Sequence, residues 1–394
     1  MTPRTVTLPF PRRPKYGDAE ITAATKLLRE GRLSDVGRGP AIAALEDAFA
    51  ALVDTTHALS FNSGTASLHA ALHAVDVTPD QGVVMSPMTW VSAITAAFHA
   101  GSFPIFADLD PDSPNLDPAG LDTAHCSAVL VTHAWGVPAP MHRFTGFPVP
   151  VVEDCSHAHG ARHQGRPVGS WGTAGCFSLQ ETKAVSGGEG GILTTSDRLV
   201  YERAMTLGHH PRRLAEELTA PELLPLIEAP ASHKFRMPTL AAVIAHEQLN
   251  TLPARMRDSD RNLAHLTRLV ENAGLPIAPV PIPADAVRGW YGTPFTLTTP
   301  VNDPAALHTR LQQARLPIRA LYPDWLTTPL LSEAVLVERH WPHMRGRWTS
   351  PRPQDFPNYR RFRRQTVVLK IPDLPAPDYI EQVAAVLATT LRSS

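Results

Sequence analysis

Between residues 57 and 195 short apolar runs alternate with longer stretches of helical spacing, and no other feature restricts the possible folds of this chain as much. The runs are His57–Phe61, Val83–Ser86, Pro104–Ala107, Ala128–Thr132, Val149–Glu153, Gly175–Leu179 and Gly191–Thr195. The helix-like stretches include Thr65–Val75 and Val91–Ala100. Strands that alternate with helices form βαβ units, so the pattern predicts an α/β protein with a mostly parallel sheet. On the N-terminal side, Asp18–Glu30 and Pro40–Val53 have helical spacing, the second with Leu45, Phe49 and Leu52 on one face. On the C-terminal side a long helix is expected over Thr239–Leu249, continuing after Pro253 through Arg255–Ala273.

Beyond that helix the texture changes. A proline-rich stretch at Leu275–Pro283 leads to a strand at Gly292–Leu297 and to helices at Pro304–Ala314 and Asp378–Leu391. We therefore expect a proline-rich arm over residues 1–15, a large domain over 16–250 and a smaller C-terminal α+β domain over 251–394. No internal repeat at a fixed period is visible, which argues against a solenoid or propeller.

Composition removes several function classes. The formal net charge of −1 argues against a nucleic-acid partner held by a broad basic surface. Three cysteines, Cys126, Cys155 and Cys176, without CxxC spacing indicate neither a disulfide framework nor a cysteine-rich zinc site. The N-terminus lacks a continuous apolar core of the signal-peptide type, and nowhere do 18 apolar residues follow one another. A cytoplasmic protein with no membrane partner is the expectation. Of 36 cationic residues only five are lysines, Lys15, Lys26, Lys183, Lys234 and Lys370, so the candidates for an amine nucleophile are few.

Four motifs carry chemistry. Asn62-Ser63-Gly64-Thr65-Ala66 follows a strand and opens a helix, where free backbone N–H groups, the positive end of the helix dipole and two hydroxyls suit an anion such as phosphate. Its plain alternative is a capped helix start with Ser63 as the N-cap. Trp90 stands just past the strand Val83–Ser86, where ligands of open α/β sheets bind, and offers a stacking face or ordinary core packing. Asp154 lies where the strand Val149–Glu153 gives way to the loop Cys155-Ser156-His157-Ala158-His159. A carboxylate there keeps a pyridine nitrogen protonated, or else caps the following turn. The pair His157 and His159 does not complete a zinc site, and no metal is expected.

Lys183 sits in Phe177-Ser178-Leu179-Gln180-Glu181-Thr182-Lys183, followed by the glycine cluster Gly187-Gly188-Glu189-Gly190-Gly191. Lysine forms Schiff bases and has a pKa that burial can lower; arginine does neither. A phosphate site, a stacking face, a carboxylate and a Schiff-base lysine together are the requirements of pyridoxal 5'-phosphate.

These motifs also resemble a known family. Asn62-Ser63-Gly64-Thr65, Glu153-Asp154 with His159-Gly160-Ala161, Phe177-Ser178 five residues before Lys183, and Gly188-Glu189-Gly190-Gly191 resemble the DegT/DnrJ/EryC1/StrS aminotransferases. These are pyridoxal-phosphate enzymes of fold type I, with an aspartate aminotransferase-like large domain. Within the family, Glu153-Asp154-Cys155-Ser156, Phe177-Ser178-Leu179-Gln180 and His133-Ala134-Trp135-Gly136-Val137-Pro138 look most like the branch that aminates scyllo-inosose-type ketones. The resemblance implies that Lys183 binds the cofactor covalently, that Asp154 pairs with its pyridine nitrogen and that Trp90 stacks on its ring. Gly64, Thr65 and Ser178, with Ser63, are implied at the phosphate, and His157 near the cofactor's hydroxyl. A homodimer with shared active sites is implied as well, in which Lys234 takes the place of a family asparagine that reaches the partner's phosphate.

The expected reaction is a ping-pong transamination. An amino-acid donor, glutamine or glutamate, leaves pyridoxamine phosphate behind, and a keto-cyclitol or keto-sugar acceptor then takes the amino group, as in a natural-product pathway. A nucleotide-sugar acceptor is an alternative, suggested by eight arginines within Arg339–Arg364. A dehydratase of the 3-amino-5-hydroxybenzoate synthase kind is another, suggested by His157. A non-catalytic regulator ranks below these.

Overall fold

The computed structural model describes residues 5–230, 233–298 and 303–392. The alternating region forms strands β1 (His57–Phe61), β2 (Gly82–Met85), β3 (Pro104–Phe106), β4 (Cys126–Thr132) and β5 (Val151–Asp154). A two-strand hairpin, β6 (Arg162–His163) and β7 (Arg166–Pro167), precedes β8 (Ala174–Ser178) and β9 (Gly191–Thr195). Seven of these strands make one sheet in the order β1-β9-β8-β5-β4-β2-β3. The pairs β2–β3, β2–β4, β4–β5 and β5–β8 are parallel, while β8–β9 and β9–β1 are antiparallel. The change of direction at one end has a simple cause. β8 and β9 are joined by the loop 179–190, which carries no crossover helix, so the chain returns antiparallel beside itself.

Helices cover both faces of this sheet, as its almost wholly buried strands require. On one side lie α3 (Gly64–Ala74), α4 (Val91–His99) and α5 (Arg198–Gly208); α3 contributes Ala66, Leu68, Ala70, Ala71 and Leu72 to the core beneath them. On the other side α2 (Pro40–Val53) packs Ile42, Leu45 and Phe49 against Phe177, Leu179 and Ile192. With α1 (Asp18–Glu30), α2 borders α7 (Thr239–Asn272).

A second sheet comprises β10 (Ile277–Pro279), β11 (Thr293–Leu297), β12 (Ile318–Arg319) and β13 (Thr366–Leu369), in the antiparallel order β10-β11-β13-β12. Helices α8 (Pro304–Gln313) and Pro377–Arg392 supply its core partners Leu307, Leu311, Ile380, Val383 and Leu387. Of the N-terminal arm, residues 5–15 are described, and Val6 is buried in this second core with its N–H donated to the Ala314 carbonyl at 2.9 Å.

α7 is one continuous helix with Pro253 inside it. Its Ala242, Ala245 and Leu252 belong to the core under the large sheet, and its Leu266 and Val270 to the core under the small one. Residue 250, where the change in texture is read, thus lies within a helix. Trp325, Leu331, Val337, Trp341 and Met344 return to the first core, with Trp341 stacked on Phe98 at 4.2 Å. Among the described residues no helix is long and apolar enough to cross a membrane.

One buried ion pair fixes the strand that leads into the phosphate-type turn. Glu46 on α2 is fully buried and receives Nη1 and Nη2 of Arg213 at 3.0 and 2.8 Å, from α6 (Pro211–Glu217). It also accepts the N–H and hydroxyl of Ser60 on β1, at 2.8 and 2.9 Å, and Nε of Arg38 at 2.8 Å. Burial alone would raise its pKa, but these donors bring it from the ordinary 4.5 down to about 2. A depressed carboxylate stabilises the fold above its unfolded pKa and loses that contribution as pH falls toward the folded value. Stability in urea should therefore decline between about pH 4.5 and pH 2. Arg213→Met, which strands the carboxylate, should cost about 3–5 kcal/mol at pH 7 and flatten that acid limb.

Candidate active site

Parallel strands direct their carboxyl ends to one edge of the sheet, where helices begin and backbone donors are free. Thr132 ends β4, Asp154 ends β5 and Ser178 ends β8, and all three line a single cleft of about 720 Å³. Ser63, Gly64 and Thr65 at the start of α3, with Trp90, His157 and Lys183, line the same cleft. Eight of the nine residues singled out in the sequence are thus brought together.

At the α3 terminus the N-cap is formed, and backbone donors that would suit an anion stand beside it. The Ser63 hydroxyl accepts the Ala66 N–H at 3.1 Å as an N-cap. The first-turn N–H groups of Gly64 and Thr65 precede the helical ladder and remain as donors. A Cβ on Gly64 would stand 2.7 Å from the Ser178 Cβ, so glycine is what lets the turn and the end of β8 close into a notch. Thr65 Oγ1 donates to Ser92 Oγ at 2.8 Å, adding hydroxyls to the rim.

Lys183 leaves β8 on the glycine-rich loop, and the loop's own hydrogen bonds shape it. Gly187 N–H donates to the Leu179 carbonyl, Leu179 N–H to Gly190 and Glu181 N–H to Gly188, at 2.8–2.9 Å. The Lys183 Nζ lies 4.3 Å from the centre of the Tyr291 ring. Burial pushes its pKa below the usual lysine value and Arg319 acts the same way, against the opposing pull of Tyr291 and Asp154. Asp154 is 4% exposed, and its Oδ1 accepts the Ser156 N–H at 3.1 Å. Trp90 is 48% exposed, set edge-on to Trp325 at the cleft, so one indole face is free for a planar ligand.

His157 and His159 part company. His157 lines the cleft and is stacked on Tyr291 with centroids 3.7 Å apart. His159 packs among Phe49 and Phe177, and burial lowers its pKa to about 3. Among the described residues one group has metal-like spacing, His133, Glu153 and Cys155. Its histidine and carboxylate are occupied internally: His133 pairs with Glu153 at 3.0 Å, Glu153 accepts the Gly169 and Gly172 N–H groups, and His133 Nδ1 accepts that of Ala139.

Lys234 does not line this cleft. It is exposed at a left-handed φ of 54°. The segment around it runs beside the entry to α3, with Asn62 N–H donating to the Phe235 carbonyl at 2.6 Å. The eight arginines of 339–364 are also absent from the lining; Arg347 bonds to the Pro79 carbonyl, Arg352 to Asp355 and Arg363 to the Tyr322 carbonyl.

Among the lining residues that the sequence reading did not single out are Tyr291, Arg319 and Tyr322. Arg319 lies with its guanidinium 3.9 Å from the Tyr291 ring centre. Its one sequence signal is a cation inside the apolar stretch Leu316–Leu321, and for Tyr291 it is the flanking pair Gly289 and Gly292.

An amine of lowered pKa, a buried carboxylate, an open indole face and a glycine–serine notch at a helix N-terminus fit pyridoxal phosphate, and the fold around them is that of the fold type I enzymes that use it. The chain belongs to the DegT/DnrJ/EryC1/StrS aminotransferase family, whose sequence profile matches residues 14–344. It is similar to the L-glutamine:2-deoxy-scyllo-inosose aminotransferase of Streptomyces paromomycinus, 31% identical over 68% of this chain and 66% of that protein, just under two thirds of its length. It is also similar to the L-glutamine:scyllo-inosose aminotransferase of Streptomyces griseus, 31% identical over 73% and 71%. The structure resembles that of an aminotransferase from Psychrobacter cryohalolentis, with a TM-score of 0.83 at 22% identity over 96% and 98% of the two chains. It likewise resembles 3-amino-5-hydroxybenzoic acid synthase, with a TM-score of 0.83 at 25% identity over 98% and 99%.

The notch yields a prediction. Gly64→Ala places a methyl against Ser178 and should weaken pyridoxal-phosphate binding tenfold or more, about 1.4 kcal/mol, in a titration of the cofactor-free protein. An unchanged affinity would show that this notch does not hold the phosphate.

Proposed function

We propose that this protein is an aminotransferase that moves the amino group of glutamine or glutamate to the ketone carbon of a keto-cyclitol or keto-sugar, in a natural-product pathway. The observation that carries this reading is the convergence of Lys183, Asp154, Trp90 and the start of α3 on one cleft; the names of the scyllo-inosose relatives support the acceptor class. We further place the protein in the cytoplasm as a homodimer.

Pyridoxal 5'-phosphate, when bound, supplies the carbonyl that accepts and returns the amino group and the electron-withdrawing ring behind it. Lys183 holds the cofactor through Nζ. The Lys183 amine would serve as the group that takes up and returns a proton at Nζ, a role that burial favours by lowering its pKa. Asp154 would pair with the ring nitrogen and keep it protonated. Trp90 would stack on the ring, and His157 would serve its hydroxyl. Ser63, Gly64, Thr65 and Ser178 would hold the phosphate, and Lys234 of the partner subunit would add a positive charge there. The donor leaves as its 2-oxo acid, and the acceptor exchanges its ketone oxygen for nitrogen.

A second reading, dehydration of the 3-amino-5-hydroxybenzoate synthase kind, is favoured by His157 and by the likeness to that enzyme's structure. Presenting the protein in its pyridoxamine phosphate form with a panel of ketones, and in its pyridoxal phosphate form with aminodehydroshikimate, separates these readings. Yellow colour should return with scyllo-inosose or 2-deoxy-scyllo-inosose; return only with nucleotide-linked keto-sugars, or an aromatic product from aminodehydroshikimate and no colour return with any ketone, overturns the cyclitol assignment. Lys183→Arg, which cannot give up its proton near neutral pH, should lower turnover by at least about 10²–10⁴-fold with the fold intact. Lys234→Ala should weaken cofactor binding about tenfold. Mixing it with Lys183→Ala should restore one tight site per dimer, and no restoration would place Lys234 outside the partner's site.

A further inference from the structure

We infer that Tyr322 is a positioning residue that, by a short hydrogen bond added to that of the Trp135 backbone N–H, locks His157 as a hydrogen-bond donor toward the cleft, holding the imidazole proton on Nε2. The Tyr322 hydroxyl lies 2.6 Å from Nδ1 of His157, and the backbone N–H of Trp135 points at the same atom from 3.3 Å. A backbone N–H can only donate, so Nδ1 must present its lone pair. A proton on Nδ1 would put two hydrogens face to face. With Nδ1 bare, the Tyr322 hydroxyl donates as well, and the neutral ring carries its hydrogen on Nε2.

Nothing in the surroundings lets this arrangement relax. Tyr322 is buried, with its ring stacked on that of Trp135 at 4.5 Å and 16°. The imidazole lies flat on Tyr291, with an interplanar angle of 8°. A second proton is disfavoured because burial, and then the nearby Lys183 and Arg319 charges, push the His157 pKa far down.

The Trp135 N–H is aimed by an unusual backbone. Trp135 has φ 51° and ψ 23°, in the left-handed region that a bulky residue seldom adopts, and Gly136 follows at φ 81°. This turn is held by backbone packed on backbone. A Cβ on Gly136 would strike the Gly289 carbonyl, the Gly289 N–H donates to the Gly136 carbonyl at 2.8 Å, and a Cβ on Gly289 would stand 2.5 Å from Cα of Ala158. The segments around Trp135, His157 and Gly289 thus interlock, and Tyr291 rides on the third of them.

A glutamine side chain at this place could present either its N–H₂ or its oxygen, whereas the locked histidine presents N–H alone. A donor set against the cofactor's phenolic oxygen favours that oxygen's anionic form, and so lowers the pH at which the lysine-bound cofactor gives up its proton. This inference rests on the reading that the cleft holds pyridoxal phosphate.

The test is a pH titration of the visible band in the pyridoxal-phosphate-loaded protein for the wild type, Tyr322→Phe, His157→Gln and the double variant. Tyr322→Phe should raise the midpoint by about one unit, a tenfold change in proton affinity. The same substitution should leave the midpoint unmoved in the His157→Gln background, because no imidazole tautomer remains there for the Tyr322 hydroxyl to hold. No shift in the first case, or an equal shift in both, overturns the inference. Absence of a visible band in the wild type would instead overturn the cofactor reading. The tautomer is then read directly in the full-length chain labelled with ¹⁵N-histidine, using the signals lost in His157→Gln. A proton on Nε2 is what the lock requires, and a proton on Nδ1 overturns it even where the Tyr322→Phe variant fails to fold.

Discussion

Under the cleft, backbone rests on backbone, and the placing of the reactive groups depends on that contact. A Cβ on Gly191, at the start of β9, would strike the carbonyl of Ser63, and one on Gly187 would stand 2.5 Å from the carbonyl of Ala241 in α7. Gly188 and Gly190 adopt φ values of 86° and 158°, which side chains other than hydrogen rarely allow. The glycine cluster after Lys183 therefore does two things. It turns the chain back to form β9, and it brings the lysine loop against the α3 turn without intervening side chains. The lysine and the anion notch are fixed relative to one another by contacts that no rotamer change can loosen.

The electrostatics follow from the same compactness. Lys15 on the N-terminal arm donates to the Lys183 carbonyl at 2.8 Å, and Arg319 shares the Tyr291 ring with the Lys183 amine. Cations gathered at a half-buried site disfavour one another, and water is too scarce to screen them. Both Lys15 and Lys183 accordingly have depressed pKa values, with burial as the leading cause and neighbouring arginines adding to it. Tyr291 and Asp154 oppose part of that shift at Lys183.

The parts that were legible in the sequence are those with a period or a local motif. Alternating apolar runs announce the seven-stranded sheet, and strand-end positions announce Ser63, Trp90, Asp154 and Ser178. The antiparallel return of β9 was not legible, because it depends on what a loop does in place of a helix. Tyr291, Arg319 and Tyr322 were hidden for a different reason. They come from short, aperiodic segments more than a hundred residues after Lys183, and only the packing of the small sheet beside the large one brings them to the cleft. Lys234 shows the reverse: resemblance places it at a cofactor, while within one chain it stands outside the lining.

The helix shared by both cores has a kinematic consequence. α7 enters from under the large sheet and ends under the small one, with Pro253 between the two burials. A continuous rod anchored at both ends cannot serve as a flexible linker, so relative motion of the two cores has to bend the rod or slide its side chains past their neighbours. The weakest point of the rod is the turn before Pro253, where the ring removes the N–H that would otherwise bond to the Leu249 carbonyl. Any breathing of the cleft would then pivot on a missing hydrogen bond, two residues before Arg255, which donates to the Ala184 carbonyl next to Lys183.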